Sequence, residues 1–76
     1  MLFRNTWKLY EWIDKNPRKV IVEMSIALGW STDKVLRHAT KLVRDGLVKI
    51  EMNGTDRLYV PKSVKELLKY WKIDIL

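Results

Sequence analysis

The clearest pattern of hydrophobic and polar positions lies in the segment 31–46, STDKVLRHATKLVRDG. At about 100° of rotation per residue, its apolar and its cationic residues fall on separate lines of one helix. We therefore predict a helix that packs one line against a core and turns the other toward an anionic partner. The apolar line holds Val35, Ala39 and Leu42, and the cationic line holds Lys34, Arg37, Lys41 and Arg44.

A first helix is predicted ahead of this segment, from a cap at Asn5 or Thr6 to about Lys15. Its end follows from Pro17, because the residue before a proline avoids helical backbone angles. The apolar residues of this helix lie on two sides. Each side therefore needs a covering layer, either from the same chain or from a partner.

Two short elements are predicted between these helices. Three successive β-branched residues predict a strand at 20–22, and apolar residues at helical spacing predict a second helix at 23–28. Gly29 follows as a C-terminal stop, and Ser31 suits the N-cap of the basic helix. Two short helices separated by a turn that contains glycine are the signature of a helix-turn-helix.

Alternating residues predict a hairpin with strands at 47–52 and 57–60, on either side of Asn53 and Gly54. A three-residue loop is preferred to a two-residue loop at Asn53 and Gly54, because it keeps the apolar residues of both strands on one face. In that register the inner face holds Val48, Ile50, Leu58 and Val60, and the outer face holds Lys49, Glu51, Arg57 and Tyr59.

A capping box at Ser63 and Glu66, followed by a single apolar stripe, predicts a last helix at 63–75. The sequence thus predicts one domain over 1–76, mainly α-helical with a small β-hairpin. The last helix either covers the first helix of its own chain or pairs with a second chain. We favour a homodimer, because one stripe covers only part of the apolar surface on the first helix. The possible dimer interface comprises Leu2, Phe3, Trp7, Tyr10, Leu67, Leu68, Trp71 and Ile75.

Composition narrows the choice of partner. A net charge of +6 on 76 residues indicates that the partner is a polyanion. Nucleic acid fits better than an anionic membrane, because the cations do not line one long amphipathic helix. The chain has neither an apolar run of membrane-spanning length nor a signal peptide, so no membrane contact is expected. These features predict a cytoplasmic protein, associated with the nucleoid if its source is a prokaryote.

The sequence predicts that this protein is not an enzyme. It contains no Gly-rich phosphate loop, no Ser/His/Asp set and no pair of carboxylates on one helix face. The absence of cysteine excludes disulfides and thiolate metal sites, and the lone histidine, His38, has no second ligand at metal-binding spacing. We therefore expect no metal and no cofactor, and no small-molecule effector is evident from the sequence, which leaves the binding functions.

Over roughly residues 9–60, the chain resembles the winged helix-turn-helix family. The resemblance rests on the stretch EMSIALGWSTDKVLRHATKLVRDGLV, which is similar to the helix, glycine, cap and recognition-helix pattern of ArsR-like and MarR-like DNA-binding proteins. It implies the order helix, short strand, helix, helix, two-stranded wing and C-terminal helix. The cysteine ligands of the metal-sensing ArsR-like proteins are absent, so metal-responsive regulation is not implied.

The same resemblance implies a sequence-specific transcriptional regulator of double-stranded DNA. In that family the second helix of the motif enters the major groove, and the wing contacts the backbone or the minor groove. Arg37 is the expected base reader, because its planar fork can form two hydrogen bonds with guanine. Two alternatives remain open: a winged helix that binds proteins, and a chromatin or replication protein that binds DNA with little sequence preference. The implied DNA contacts are Thr32, Lys34, Arg37, His38, Lys41, Arg44, Lys49, Asn53 and Arg57.

Overall fold

Three helices followed by a two-stranded antiparallel hairpin make up the computed structural model, which describes residues 4–62. This arrangement confirms the predicted winged-helix fold, mainly α-helical with a small hairpin. The predicted helix at 63–75 lies outside the described residues, as do Leu2 and Phe3. The elements are α1 (Arg4–Lys15), α2 (Ile21–Leu28), α3 (Thr32–Arg44), β1 (Val48–Asn53) and β2 (Asp56–Pro61).

Helix α3 lies at the centre of the fold and packs against α1, α2 and β1. Its predicted apolar line is confirmed, since Val35, Ala39 and Leu42 are fully buried. Because all three residues of this line are buried in the core, the opposite side of α3 faces outward. The core also includes Leu9 and Ile13 of α1, Met24 of α2, Leu47 before β1, Val48 of β1 and Tyr59 of β2.

Helix α1 begins at Arg4, so the predicted cap at Asn5 or Thr6 is wrong. Both residues lie inside the helix. Thr6 is fully buried, and its hydroxyl bonds to α3 instead of to the backbone at the start of its own helix. The helix ends at Lys15, as the position of Pro17 predicts.

Helix α2 begins at Ile21, so the predicted strand at 20–22 is wrong. Ile21 packs against the core one turn before Met24, and this packing outweighs the strand propensity of the β-branched residues. Strand-like pairing occurs instead at Lys19, which forms an isolated bridge with Tyr59 of β2. The Tyr59 N–H donates to the Lys19 carbonyl at 3.0 Å. The linker before α2 therefore lies along the hairpin.

Two hydrogen bonds between Ser25 and Trp30 fix the turn between α2 and α3. The Ser25 Oγ donates to the Trp30 carbonyl at 2.5 Å, and the Trp30 N–H donates to the Ser25 carbonyl at 3.2 Å. Gly29 has a φ of 69°, a left-handed conformation that glycine adopts without strain. Ser31 caps α3 as predicted, since its Oγ accepts from the Lys34 N–H at 3.1 Å. Together these bonds set the angle at which α3 leaves α2.

The hairpin turns at Gly54 and Thr55, so the predicted three-residue loop is wrong. Glycine occupies the first central position with a φ of 64°, which suits the tight turns of two-residue hairpins. A shift of one residue exchanges the two faces of a strand. Tyr59, predicted to lie outside, therefore shares a face with Ile50 and is only 2% exposed. On the other face, Leu58 pairs with Glu51 and Val60 pairs with Lys49.

Candidate nucleic-acid interface

The outward side of α3 carries two exposed arginines, Arg37 and Arg44. They lie seven positions apart, which is close to two full turns, so they point in nearly the same direction. Arg37 forms no ion pair with any residue between 4 and 62. Asp33 lies in the first turn of this helix, where its charge complements the helix dipole. Beyond this first turn, the exposed charges on the outward side are positive.

Lys34 is held against the turn that precedes its helix. Its Nζ lies 4.4 Å from the centroid of the Trp30 ring, which is a cation–π distance. Trp30 is itself half-buried and packs against the core. The ammonium group of this predicted DNA contact is thus positioned beside the start of α3.

His38 joins α3 to α1. Its Nδ1 lies 2.8 Å from the Thr6 hydroxyl, and its ring lies 5.7 Å from the Trp30 ring. Burial, and then the positive charges of Arg37 and Lys34, lower the pKa of His38 below its usual value of 6.5. The ring is therefore mainly neutral at pH 7. The structure places this predicted DNA contact on the side of α3 that faces α1 and Trp30.

The wing tip, residues 53–57, is exposed throughout and includes the predicted DNA contacts Asn53 and Arg57. Arg57 pairs with Met52 across the hairpin and forms no ion pair with any residue in the described range 4–62. Lys49 lies farther from the tip and is half-buried, as is Lys41 on α3. Arg57 is therefore the exposed cation at the end of the wing.

An ion pair offsets part of the negative charge of the hairpin. The Arg18 guanidinium, from the linker between α1 and α2, donates to the Glu51 carboxylate of β1. The backbone of Arg18 also reaches the hairpin, because its N–H donates to the Tyr59 carbonyl at 3.0 Å. Arg18 thus neutralises one of the two acidic residues of the hairpin, while the other, Asp56, lies at the tip.

An open cleft of about 370 Å³ lies between the start of α2, the first half of α3 and the wing tip. It brings Thr32 of α3 and Arg57 of the wing, both predicted DNA contacts, to the walls of one opening. Leu36 also lines this cleft and is 43% exposed. Leu36 lies about 100° around the helix from the buried Val35, which accounts for its exposure.

Trp7 and Tyr10 form an aromatic pair on the outside of α1. Their ring centroids lie 5.4 Å apart at an interplanar angle of 36°, and Trp7 is 48% exposed. Tyr10 also packs against the core, and burial, followed by the charge of Asp14, raises the pKa of its hydroxyl. These two are the members of the predicted dimer interface that lie within the described part of the chain.

The part of the chain that the structure describes contains neither a metal-binding cluster nor a membrane-spanning helix. No three side chains among His, Asp and Glu of residues 4–62 come together in a way that could hold a metal ion. None of the three helices in this range is long and apolar enough to cross a bilayer.

Comparison with known proteins extends the description of the fold. No family model matches the chain, and no curated protein matches it. Among solved structures, the chain is similar to the crystal structure of a predicted DNA-binding transcriptional regulator from E. coli, with a TM-score of 0.69. The two share 17% sequence identity, and the match covers 84% of this chain and 70% of that chain. At this identity, the likeness shows a shared fold.

Proposed function

We propose that this chain is a regulator of transcription that binds double-stranded DNA, with α3 in the major groove and the wing on the backbone or the minor groove. The observation that carries the proposal is the outward side of α3, where exposed Arg37 and Arg44 point the same way on a helix anchored by its other side. The net charge of +6 and the fold shared with a predicted DNA-binding regulator support it.

In this proposal Arg37 reads a base, and the other cations contact phosphates. Arg37 is exposed and carries a planar fork that matches the O6 and N7 atoms of guanine. Lys34 offers a compact charge that Trp30 holds near the start of α3, which suits a phosphate. Arg44 and Lys41 follow along the same helix, toward its C-terminal end. These roles divide the surface into one sequence-reading cation and several positioning cations.

The wing adds contacts outside the major groove. Arg57 and Asn53 at its exposed tip can reach phosphates or the minor groove, while Lys49 lies closer to the body of the domain. The ion pair between Arg18 and Glu51 supports this role, because it reduces the repulsion between the hairpin and the DNA backbone. His38 and Thr32 complete the proposed contact set.

We also propose that two copies bind together. The exposed Trp7 on α1, whose ring lies beside that of Tyr10, offers an aromatic surface of the kind enriched in protein interfaces. A symmetric dimer would place two copies of α3 about 34–36 Å apart, one turn of DNA. Its target would then be a near-palindrome.

Selection of bound sequences from a random DNA pool, repeated at two salt concentrations, tests the proposed function. An enriched symmetric motif would support a dimeric, sequence-specific regulator. If α3 and the wing neutralise about four phosphates, log affinity should fall with log salt at a slope of about −3.6. Salt-sensitive binding without a motif would favour a protein that binds DNA with little sequence preference. No binding at either salt concentration would contradict the proposal.

One observation favours a protein-binding winged helix as the second candidate. Val22 and Ile26 lie one turn apart on α2 and are 56% and 77% exposed, which places two apolar side chains side by side in solvent. Such a module would not use the cationic side of α3. Charge reversal at Arg37 and Lys41 would then leave its binding to a protein partner intact.

A further inference from the structure

Leu36 is an apolar side chain on the flank of α3, between the buried line and Arg37. It is 43% exposed, whereas the preceding residue, Val35, is fully buried. Thr32 and Thr40 lie one turn before it and one turn after it, and both are exposed. The three side chains form a row that carries methyl groups, next to the exposed Arg37. This row and Arg37 share the surface that the proposed function places in the major groove.

Single exposed leucines are common on protein surfaces. Leu36, however, lines the cleft between α3 and the wing, and Arg57 lines the same opening. The cleft also carries Asp33 and Asp56, whose carboxylates repel phosphate. Under the proposed function, a duplex seated on α3 and the wing would therefore turn its base edges toward Leu36 and its phosphates toward the cations.

We propose that Leu36 is a specificity-determining residue that contacts the C5 methyl group of thymine in the major groove. The inference rests on the proposed function and extends it from a cationic surface to a base preference. The thymine methyl is the apolar group of the major-groove edge, and removing water from between it and a leucine is favourable. Arg37 follows Leu36 directly, so the thymine lies within about two base pairs of the guanine that Arg37 reads.

Replacement of thymine by uracil tests this contact, because deoxyuridine pairs like thymidine and lacks only the methyl group. The DNA would be the site selected by the wild-type protein, with each thymine replaced in turn. The wild type should lose about fourfold in affinity at the contacted position, the effect of one lost methyl contact. Leu36→Ala should bind the thymine site about fourfold or more weakly than the wild type does. It should bind the thymine and uracil sites equally well, because the side chain that contacts the methyl group has been removed. The four affinities together form a double-mutant cycle that isolates this contact.

Two further variants separate this contact from general effects. Ile26→Ala is the matched control, because Ile26 is also an exposed aliphatic residue but lies on α2. It should keep the wild-type ratio of thymine to uracil affinity. Leu36→Met keeps an apolar side chain of similar volume and should keep most of that ratio. Circular dichroism of all variants shows whether each one folds.

The outcomes distinguish this inference from the proposed function. Salt-dependent DNA binding by the wild type, with no loss at any uracil position, would overturn the role of Leu36 and leave the proposed function standing. The same holds if Leu36→Ala keeps the full wild-type ratio. A wild-type protein that binds no DNA would overturn the proposed function first, and the inference with it.

Discussion

The Thr6 hydroxyl on α1 lies 2.8 Å from Nδ1 of His38 on α3, although the two residues are 32 positions apart in the chain. Thr6 is fully buried, so its hydroxyl needs a partner within the protein. His38 provides that partner from the middle of α3. The bond therefore helps to fix the rotation of α3 relative to α1, and with it the direction in which the outward side of α3 points.

Thr6→Val should weaken the fold, because valine keeps the shape of threonine and removes the hydroxyl. We expect the free energy of unfolding to fall by about 1 kcal/mol, the net value of a typical hydrogen bond, as measured by urea denaturation. Thr40→Val is the control. Thr40 is exposed on α3, so the change there should stay below about 0.5 kcal/mol. Equal losses in the two variants would contradict a special role for the Thr6 hydroxyl.

The stability of the fold should depend on the protonation of His38. Its pKa is lowered in the folded state, so the unfolded chain binds a proton more readily. The stability that comes from the neutral ring is complete above the unfolded pKa of about 6.5 and is lost as pH falls through the folded pKa. Between about pH 7.5 and 5, above most carboxylate titrations, Tm should fall more steeply for the wild type than for His38→Gln.

A direct measurement checks the same prediction. His38 is the only histidine of the chain, so its ring resonances can be followed by NMR without ambiguity. We expect a midpoint below 6.5, because burial disfavours the charged ring and Arg37 and Lys34 repel it. A midpoint at or above 6.5 would show that the ring is not held in its neutral form.

Arg37→Ala should weaken binding to the selected DNA site. We expect a loss of about 1–3 kcal/mol, or about 5- to 150-fold in Kd, with relaxed preference at the guanine position, as measured by fluorescence anisotropy. Lys15→Ala removes one exposed cation from the end of α1 and should change Kd by less than about twofold. If both variants lose the same affinity, net charge alone drives binding.

Gly54→Ala should destabilise the domain by about 1 kcal/mol, because an L-residue is strained in the left-handed region. Gly54 has a φ of 64°, and a Cβ built there meets no other atom within 4 Å, so the effect comes from the backbone alone. Thr55→Ala, at the other loop position, should change stability by less than about 0.5 kcal/mol. Unchanged stability of Gly54→Ala in urea denaturation would contradict the two-residue turn.

Trp7→Ala should weaken self-association. If the exposed Trp7 and the half-buried Tyr10 form part of a dimer interface, truncation of the tryptophan should raise the dimer dissociation constant by about tenfold or more in analytical ultracentrifugation. Ile26→Ala, which removes a more exposed apolar side chain from α2, should leave the constant unchanged. A wild-type chain that stays monomeric at high concentration would rule out the homodimer.

The sequence predicts α3 well because its signals are local. Val35, Ala39 and Leu42 recur at helical spacing, and Ser31 provides the cap, so both the buried side and the start of the helix follow from neighbouring residues. The hairpin is harder to predict, because the register that keeps the apolar residues of both strands on one face is not the register that the chain adopts. Tyr59 decides the register, because it pairs with Lys19, a residue that lies 40 positions earlier in the chain.

In the candidate site too, some features follow from local sequence pattern and others depend on packing. Helical spacing correctly places Arg37 and Arg44 on the outward side of α3. It cannot place His38 against Thr6, because that contact depends on how α1 crosses α3. The start of α2 shows the same limit. The β-branched residues at 20–22 favour a strand, but the packing of Ile21 against the core stabilises a helix there. Local pattern therefore defines each helix, and packing defines what its flanks contact.

Arg18 holds the hairpin at two points, through its N–H on the Tyr59 carbonyl and its side chain on Glu51. A two-stranded hairpin is marginally stable by itself. With this linker alongside it, the conformational entropy of the hairpin is lost when the domain folds, not when a partner arrives. Binding at the wing would then carry no coupled-folding contribution, so its heat-capacity change would reflect the apolar and polar surface that the contact itself removes from water.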